Sequence, residues 1–162
     1  LPNNPGQPLR QQMYWRALQT LPNLDIIEGD FRTRQTRMAV VTPPPVTIEV
    51  FKVEEKGSDV NIAAHLLMDG FRNRYQAAIV ISGDSDLVTP IRMVKEQLKK
   101  PVGVLNPQRL SGPNCRKLRR NAGLKQAATF YQNGVTWAQL QSAQFPDTLT
   151  DANGTIHKPP CW

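Results

Sequence analysis

The stretch that most constrains this chain is Ala77–Pro90, AAIVISGDSDLVTP. Its apolar opening, Ala77 to Ile81, reads as a short strand. It runs straight into a polar turn, Ser82-Gly83-Asp84-Ser85-Asp86. Apolar residues resume as Leu87, Val88, Ile91, Met93, Val94 and Leu98, at helical spacing. A strand passing directly into a helix belongs to a parallel α/β sheet. Working sites of such sheets lie beyond the carboxyl ends of the strands, and Asp84 and Asp86 fall there. Two carboxylates one residue apart repel each other unless a cation or a proton lies between them. Hard oxygen ligands on a turn suit Mg²⁺ or Mn²⁺ better than zinc. The competing reading is capping, because Asp and Ser favour turns and helix N-termini for backbone reasons alone.

A second stretch, Val46–Leu67, shifts the balance. Val46 to Val53 alternates as a strand, with Val46, Ile48, Val50 and Lys52 on one face and Phe51 and Val53 on the other. Glu54-Glu55-Lys56-Gly57 is the loop. Ser58 is the expected N-cap, and Asp59 suits the first turn of the helix that follows. Ile62, Ala63, Leu66 and Leu67 form that helix's apolar stripe. In a right-handed parallel β-α-β unit, Asp59 shares one sheet edge with Asp84 and Asp86. Three carboxylates converging on one edge are harder to explain as caps than one.

EKGSDVNIAAHLL, then YQAAIVISGDSDLVTPIRMV, then KKPVGVLNP, resembles the NYN domain family. This is the PIN-like group of metal-dependent ribonucleases that includes LabA-like proteins. The resemblance covers residues 50 to 107 well and rests on EKGxD and SGDSD occurring in order. It implies a three-layer, Rossmann-like α/β domain with a mainly parallel central sheet. It also implies acids that bind a divalent cation and position a water for phosphodiester cleavage. Carried over residue by residue, it nominates Asp59, Asp84 and Asp86 as metal ligands and catalytic residues, with Glu55 as a further catalytic candidate. Family members open with a strand ending in an aspartate. No matching segment precedes the motifs here, so the expectation is a single domain over residues 1–162 that lacks its first strand.

Charge supports an anionic partner. The net charge is +7. No carboxylate occurs between Glu96 and Asp147, a span carrying Lys99, Lys100, Arg109, Arg116, Lys117, Arg119, Arg120 and Lys125. A second acid-free span, Asp30 to Glu49, carries Arg32, Arg34 and Arg37. Acids that hold a cation inside a basic surface that holds phosphates are what metal-assisted phosphodiester chemistry needs. Lys56, Arg109, Arg116, Lys117, Arg119 and Arg120 are therefore the expected contacts to RNA or DNA. The plainer meaning of such a run is a solvated helix face.

The rest of the chain fills in the architecture. Pro8–Leu21 reads as a helix facing a core through Leu9, Met13, Leu18 and Leu21. Leu24–Glu28 reads as a strand, Gly29–Arg37 as a basic loop or ribbon, and Met38–Val41 as an edge strand. Pro43 to Pro45 is a stiff connector. A strand ends at Leu105. A basic helix follows Arg109, anchored by Leu118 and Leu124. Ala127–Tyr131 is a last strand and Val135–Ala143 a short helix. Residues 145–162 form an irregular tail. No run approaches the length of a membrane span, and no secretory leader shows in the polar Leu1–Thr20. Cys115 and Cys161 follow no metal spacing and read as free thiols in a cytoplasmic protein, ahead of a disulfide. His65 is isolated on an apolar helix.

Three functions follow in order. The first is a metal-dependent ribonuclease. The second is an inactive module of the same fold that binds RNA, assembles as a homo-oligomer or engages a regulatory protein partner. The third is a phosphatase of the haloacid dehalogenase type, suggested by Asp84-Ser85-Asp86. That reading suffers because Gly83 separates the strand from the first aspartate, and because no downstream acid pair lies between Gln97 and Pro146.

Overall fold

The computed structural model describes residues 6–41, 47–110 and 121–160. They form two compact units, one of residues 27–135 and one combining residues 1–26 with 136–162.

The larger unit opens on an antiparallel ribbon. β1 (Asp30–Ala39) pairs with β2 (Thr47–Lys56), from Asp30 opposite Lys56 to Ala39 opposite Thr47. One face gathers cations around a single acid, with Arg34 alone reaching across from β1. Glu54 accepts ion pairs from Lys52, from Arg34 at 3.4 Å and from Lys56 at 3.5 Å. These partners, the Lys52 hydrogen bond foremost, hold the Glu54 carboxyl below its ordinary range.

Two sequence expectations change here. Leu24–Glu28 is not a strand; it has no regular structure, and Leu24 and Ile27 are exposed. Among the described residues no strand pairs with it, and a lone strand leaves its backbone groups unpaired. The Val46–Val53 segment does carry a strand, but its partner is β1, so Asp59 is not delivered by a β-α-β unit of the parallel sheet. Period-two patterning reports a half-buried strand, not the direction of its partner. The basic stretch after Gly29 takes its ribbon alternative and runs unbroken to Ala39.

The parallel sheet has three strands, β3 (Ala78–Ile81), β4 (Val102–Leu105) and β5 (Phe130–Gln132), in the order β3-β4-β5. The unit is a mixed α/β structure. α2 (Ser58–Phe71), α3 (Val88–Glu96) and α4 (Ala122–Ala127) supply its helices. Val80 lies opposite Val104 and Ala78 opposite Val102, so these four share one face. Leu66 from α2, Ile91 and Val94 from α3, and Leu124 and Ala127 from α4 join Val80, Val102 and Val104 in one buried cluster. Ile91, Val94, Val102 and Leu124 are fully buried. Each such side chain contributes about 1.5–3 kcal/mol relative to exposure. Tyr75 braces α2 from its far end, its hydroxyl donating to the Leu66 carbonyl at 2.6 Å. On the opposite face of the sheet, Ile79, Ile81 and Phe130 are each more than half exposed.

Helix ends obey local chemistry. Asn73, just past the end of α2, takes a left-handed φ of 59°, which Asn tolerates. Asn121 caps α4 by accepting from the Leu124 N–H at 3.1 Å. The last strand starts at Phe130 because Ala127 still belongs to α4.

In the smaller unit, α1 (Gln7–Gln19) turns Ala17 inward, while Leu9 and Leu21, expected in a core, are exposed. α5 (Trp137–Ser142) starts with a capping box. Thr136 Oγ1 accepts from the Gln139 N–H at 3.2 Å, and Gln139 Oε1 accepts from the Thr136 N–H at 2.9 Å. The segment read as an irregular tail carries a hairpin, β6 (Thr148–Asp151) with β7 (Gly154–His157). The alternation was too short to stand out, but the turn chemistry is specific. The Asn153 N–H donates to Asp151 Oδ1 at 2.8 Å, and Gly154 takes a φ of 107°. Arg16 grips Asp151 through two hydrogen bonds of 2.8 and 2.6 Å. Tyr14 meets Phe145 edge-on, with centroids 6.2 Å apart. Pro43 to Pro45, Leu118, Cys115 and Cys161 lie outside the described residues.

Candidate active site

Asp84 and Asp86 emerge at the carboxyl end of β3. The strand stops at Ile81, and the Ser82 hydroxyl oxygen accepts from the Asp84 N–H at 3.1 Å. Asp84 then caps a single 3₁₀ turn, Ser85–Leu87, by accepting from the Asp86 N–H at 2.9 Å. The capping expectation is therefore met in part: one oxygen of Asp84 holds the turn. Both carboxylates are nevertheless exposed at the edge of the sheet. Leu87, 1% exposed, anchors the turn in the core beneath them.

Asp59 reaches the same place from α2. Gly57, with a φ of 98°, turns the chain out of the ribbon, a conformation open to glycine. Gly57, not Ser58, holds the cap position, and Ser58 is the first helical residue. Ser58 spends its hydroxyl on Glu55, donating to Oε1 at 2.6 Å while its backbone N–H reaches the same oxygen at 3.2 Å. Gly29 closes against this pair: a Cβ there would lie 2.0 Å from Glu55 Oε1 and 2.6 Å from Ser58 Oγ. Glu55 is thus a fixed group and not a loose loop acid.

Asp59 feels the charges of the other three acids. The half-buried Asp59 carboxyl is pushed above its ordinary range, first by desolvation and then by the charges of Asp84, Glu55 and Asp86. A carboxylate raised by three like neighbours is relieved by a proton or a cation. Among the described residues, no three acidic, histidine or cysteine side chains are grouped closely enough to hold a metal ion as they stand. Asp59, Asp84 and Asp86 are hard oxygen donors, the type that a divalent ion would take.

The expected nucleic-acid contacts divide. Lys56 sits at the base of the ribbon and pairs with Glu54, a commitment the sequence did not show. Arg109 forms a parallel bridge with Val135 just beyond β4. Arg116, Lys117, Arg119 and Arg120 lie outside the described residues. His65 lines a groove with Ile27, Ser58, Asn61, Ile62 and Ile79. No helix among the described residues is long and apolar enough to cross a membrane.

A three-stranded parallel sheet with helices, carrying Asp84 and Asp86 at the carboxyl end of β3 and Asp59 at the start of α2, is a mixed α/β domain of the kind found in nuclease-type folds. The NYN domain profile matches residues 19–122, and the chain belongs to that family. It is also 26% identical over 162 residues to a protein of Pseudomonas putida named 6-hydroxy-3-succinoylpyridine 3-monooxygenase HspA. That alignment takes in 94% of this chain and 50% of the relative, so the chain spans about half the relative's length. No solved structure matches.

Three groups at the site escaped the sequence reading. Gly29 is the backbone that covers Glu55. Asn106, 2% exposed, lies under the acid turn, with its Oδ1 3.3 Å from where a Gly83 Cβ would sit. Asn121 donates from Nδ2 to the Gly83 carbonyl at 3.3 Å. Only Asn106, following a strand in LNP, carried a signal that could have been read.

Proposed function

We propose that this protein is a metal-dependent ribonuclease. The observation that carries the reading is the Asp59 carboxyl, raised first by desolvation and then by the charges of Asp84, Glu55 and Asp86. Asp59, Asp84 and Asp86 hold Mg²⁺ or Mn²⁺. A bound ion supplies a water of lowered pKa and positive charge against the phosphate in the transition state. Glu55, whose Oε1 accepts from the Ser58 hydroxyl, would orient that water or take its proton. The acid-free basic span from Gln97 to Pro146 holds the RNA backbone, with Arg109, Arg116, Lys117, Arg119 and Arg120 as its phosphate contacts and Lys56 beside the acids. The architecture is that of a three-layer, Rossmann-like PIN domain, and the bare face of Ile79, Ile81 and Phe130 is the side on which a further layer belongs.

The test is cleavage of labelled RNA across Mg²⁺ and Mn²⁺ titrations, beside a salt-titrated RNA-binding assay. Asp84→Asn is expected to abolish cleavage while leaving RNA affinity largely intact. Neutralising Arg116 and Lys117 together is expected to weaken RNA binding and flatten its salt dependence. Binding without cleavage at any metal concentration identifies an inactive, regulatory module. Failure to bind nucleic acid at low salt ends both readings.

The relative from Pseudomonas putida favours a second reading, oxygenation of a hydroxypyridine. Oxygen uptake with 6-hydroxy-3-succinoylpyridine and a reduced nicotinamide or flavin donor decides it. Substrate-dependent uptake in the absence of RNA cleavage selects that reading over the nuclease.

A further inference from the structure

We infer that Asn121 is a positioning residue for the acid turn, acting through the Gly83 carbonyl. The role rests on the nuclease reading above, since it concerns the turn that presents Asp84 and Asp86. The Asn121 side chain divides its two ends between two elements. Oδ1 accepts from the Leu124 N–H at 3.1 Å and so caps α4. With Oδ1 committed to a donor, the amide orientation is set and Nδ2 faces outward. Nδ2 donates to the Gly83 carbonyl at 3.3 Å, across 38 residues of sequence.

That carbonyl is the pivot of the turn. Gly83 O and Asp84 N belong to one peptide plane. The Asp84 N–H is bonded to Ser82 Oγ at 3.1 Å. Fixing both ends of that plane sets where the Asp84 backbone, and hence its carboxylate, begins. Asn106 blocks the other side: a Gly83 Cβ would meet its Oδ1 at 3.3 Å, so the glycine lies close against a buried side chain. Asn106 is itself held by the strand, donating from its backbone N–H to the Gln132 carbonyl at 3.0 Å and from Nδ2 to the Tyr131 hydroxyl at 3.2 Å. Gly83 thus lies between Asn106, just beyond β4, and a donor from Asn121, the residue that caps α4. Asp84 and Asp86 carry like charge, and a turn under that repulsion relaxes outward unless its backbone is pinned. Asn121 is the pin that also serves as a helix cap, so the two roles can be separated by substitution.

Asn121→Ser keeps an oxygen able to cap α4 but has no arm long enough to reach both partners. Asn121→Ala removes the cap and the Gly83 bond together. Both variants are expected to weaken Mn²⁺ binding about five-fold, the loss of one hydrogen bond expressed through the ion. Binding is read directly from the free-ion signal in electron paramagnetic resonance. Thermal stability should fall in Asn121→Ala and stay near wild type in Asn121→Ser. Cleavage by Asn121→Ser should be depressed at limiting Mn²⁺ and recover at saturating Mn²⁺, with RNA affinity unchanged. If only the alanine variant loses Mn²⁺ affinity, and in step with its stability, Asn121 is a cap and nothing more. If the serine variant matches wild type across the Mn²⁺ titration, the inference is overturned while the nuclease reading stands. If wild type and Asp84→Asn bind Mn²⁺ equally, the nuclease reading itself falls and takes this role with it.

Discussion

Two glycines offer a sharp test of how this core is held. Gly103 and Gly134 would each suffer a severe overlap on substitution by alanine, but against different obstacles. A Cβ on Gly103 would lie 2.0 Å from Cζ of the Phe130 ring. A Cβ on Gly134 would lie 2.2 Å from the Gln108 carbonyl oxygen, and 3.1 Å from Leu110 Cδ2. Relaxed carbon contacts sit at about 3.5–4.0 Å, so both cases demand movement of over an ångström. Phe130 is 53% exposed, and its ring can swing off Gly103. The cost is lost contact area, offset by about 0.5–1 kcal/mol from removing glycine's backbone freedom. We expect Gly103→Ala to destabilise by about 1 kcal/mol or less. Gly134 has no such relief, because the obstacle is backbone. The Gln108 carbonyl accepts from the Val135 N–H at 2.8 Å, and the Val135 carbonyl accepts from the Leu110 N–H at 2.8 Å. Overpacking of about 1–3 kcal/mol adds to about 1 kcal/mol for each bridge bond broken. Gly134→Ala should therefore cost about 3–5 kcal/mol. Urea unfolding followed by circular dichroism gives both values, provided the m-values agree. Phe130→Leu in the Gly103→Ala background should recover most of the smaller loss. A Gly103→Ala cost equal to or above that of Gly134→Ala would refute the distinction between ring end and backbone.

Ile91→Ala, at a fully buried site between α3 and the sheet, should cost about 2–5 kcal/mol in the same urea assay. Tyr75→Phe removes the hydroxyl that donates to Leu66 O and should cost about 1 kcal/mol, with no change in RNA binding. Thr136→Ala breaks the capping box of α5 and should cost about 1 kcal/mol, read as a lower melting temperature. The Asp151 carboxyl is held below its ordinary range, first by the Arg16 hydrogen bond. Its contribution is present above the unfolded-state pKa and disappears as pH falls through the lowered folded value. Asp151→Asn should accordingly flatten the acid side of the stability profile, and an unchanged profile would show that the pair contributes nothing.

How much of this was legible in the sequence depends on whether local chemistry or tertiary partners decided the outcome. The SGDSD turn was legible because strand, turn and helix all lie within Ala77–Leu98. Leu124 was legible as an anchor by helical spacing and is fully buried. The charge of Asp84 is felt at Asp59, but the expected β-α-β route to it does not exist, since β2 pairs with β1 instead of joining the parallel sheet. Strand pairing is a long-range choice that alternation within Val46–Val53 does not encode. Lys56 reads in sequence as a contact to nucleic acid, and its ion pair with Glu54, two residues away on the same strand face, is set by strand geometry that charge counting along the chain does not show. Asn106 and Asn121 were passed over because an asparagine's role is set by what its amide meets, here a glycine far off in sequence.

The placement of those two asparagines bears on how this protein can change over generations. Asn106 and Asn121 meet Gly83 from places far apart in the chain, one just beyond β4 and the other at the cap of α4. A side chain added at Gly83 has to be accommodated by a buried asparagine, and a change in either asparagine is felt at the turn that Asp84 caps. Drift at these three positions is therefore coupled: each can change only in step with the other two, whereas an exposed position such as Val60 can change alone.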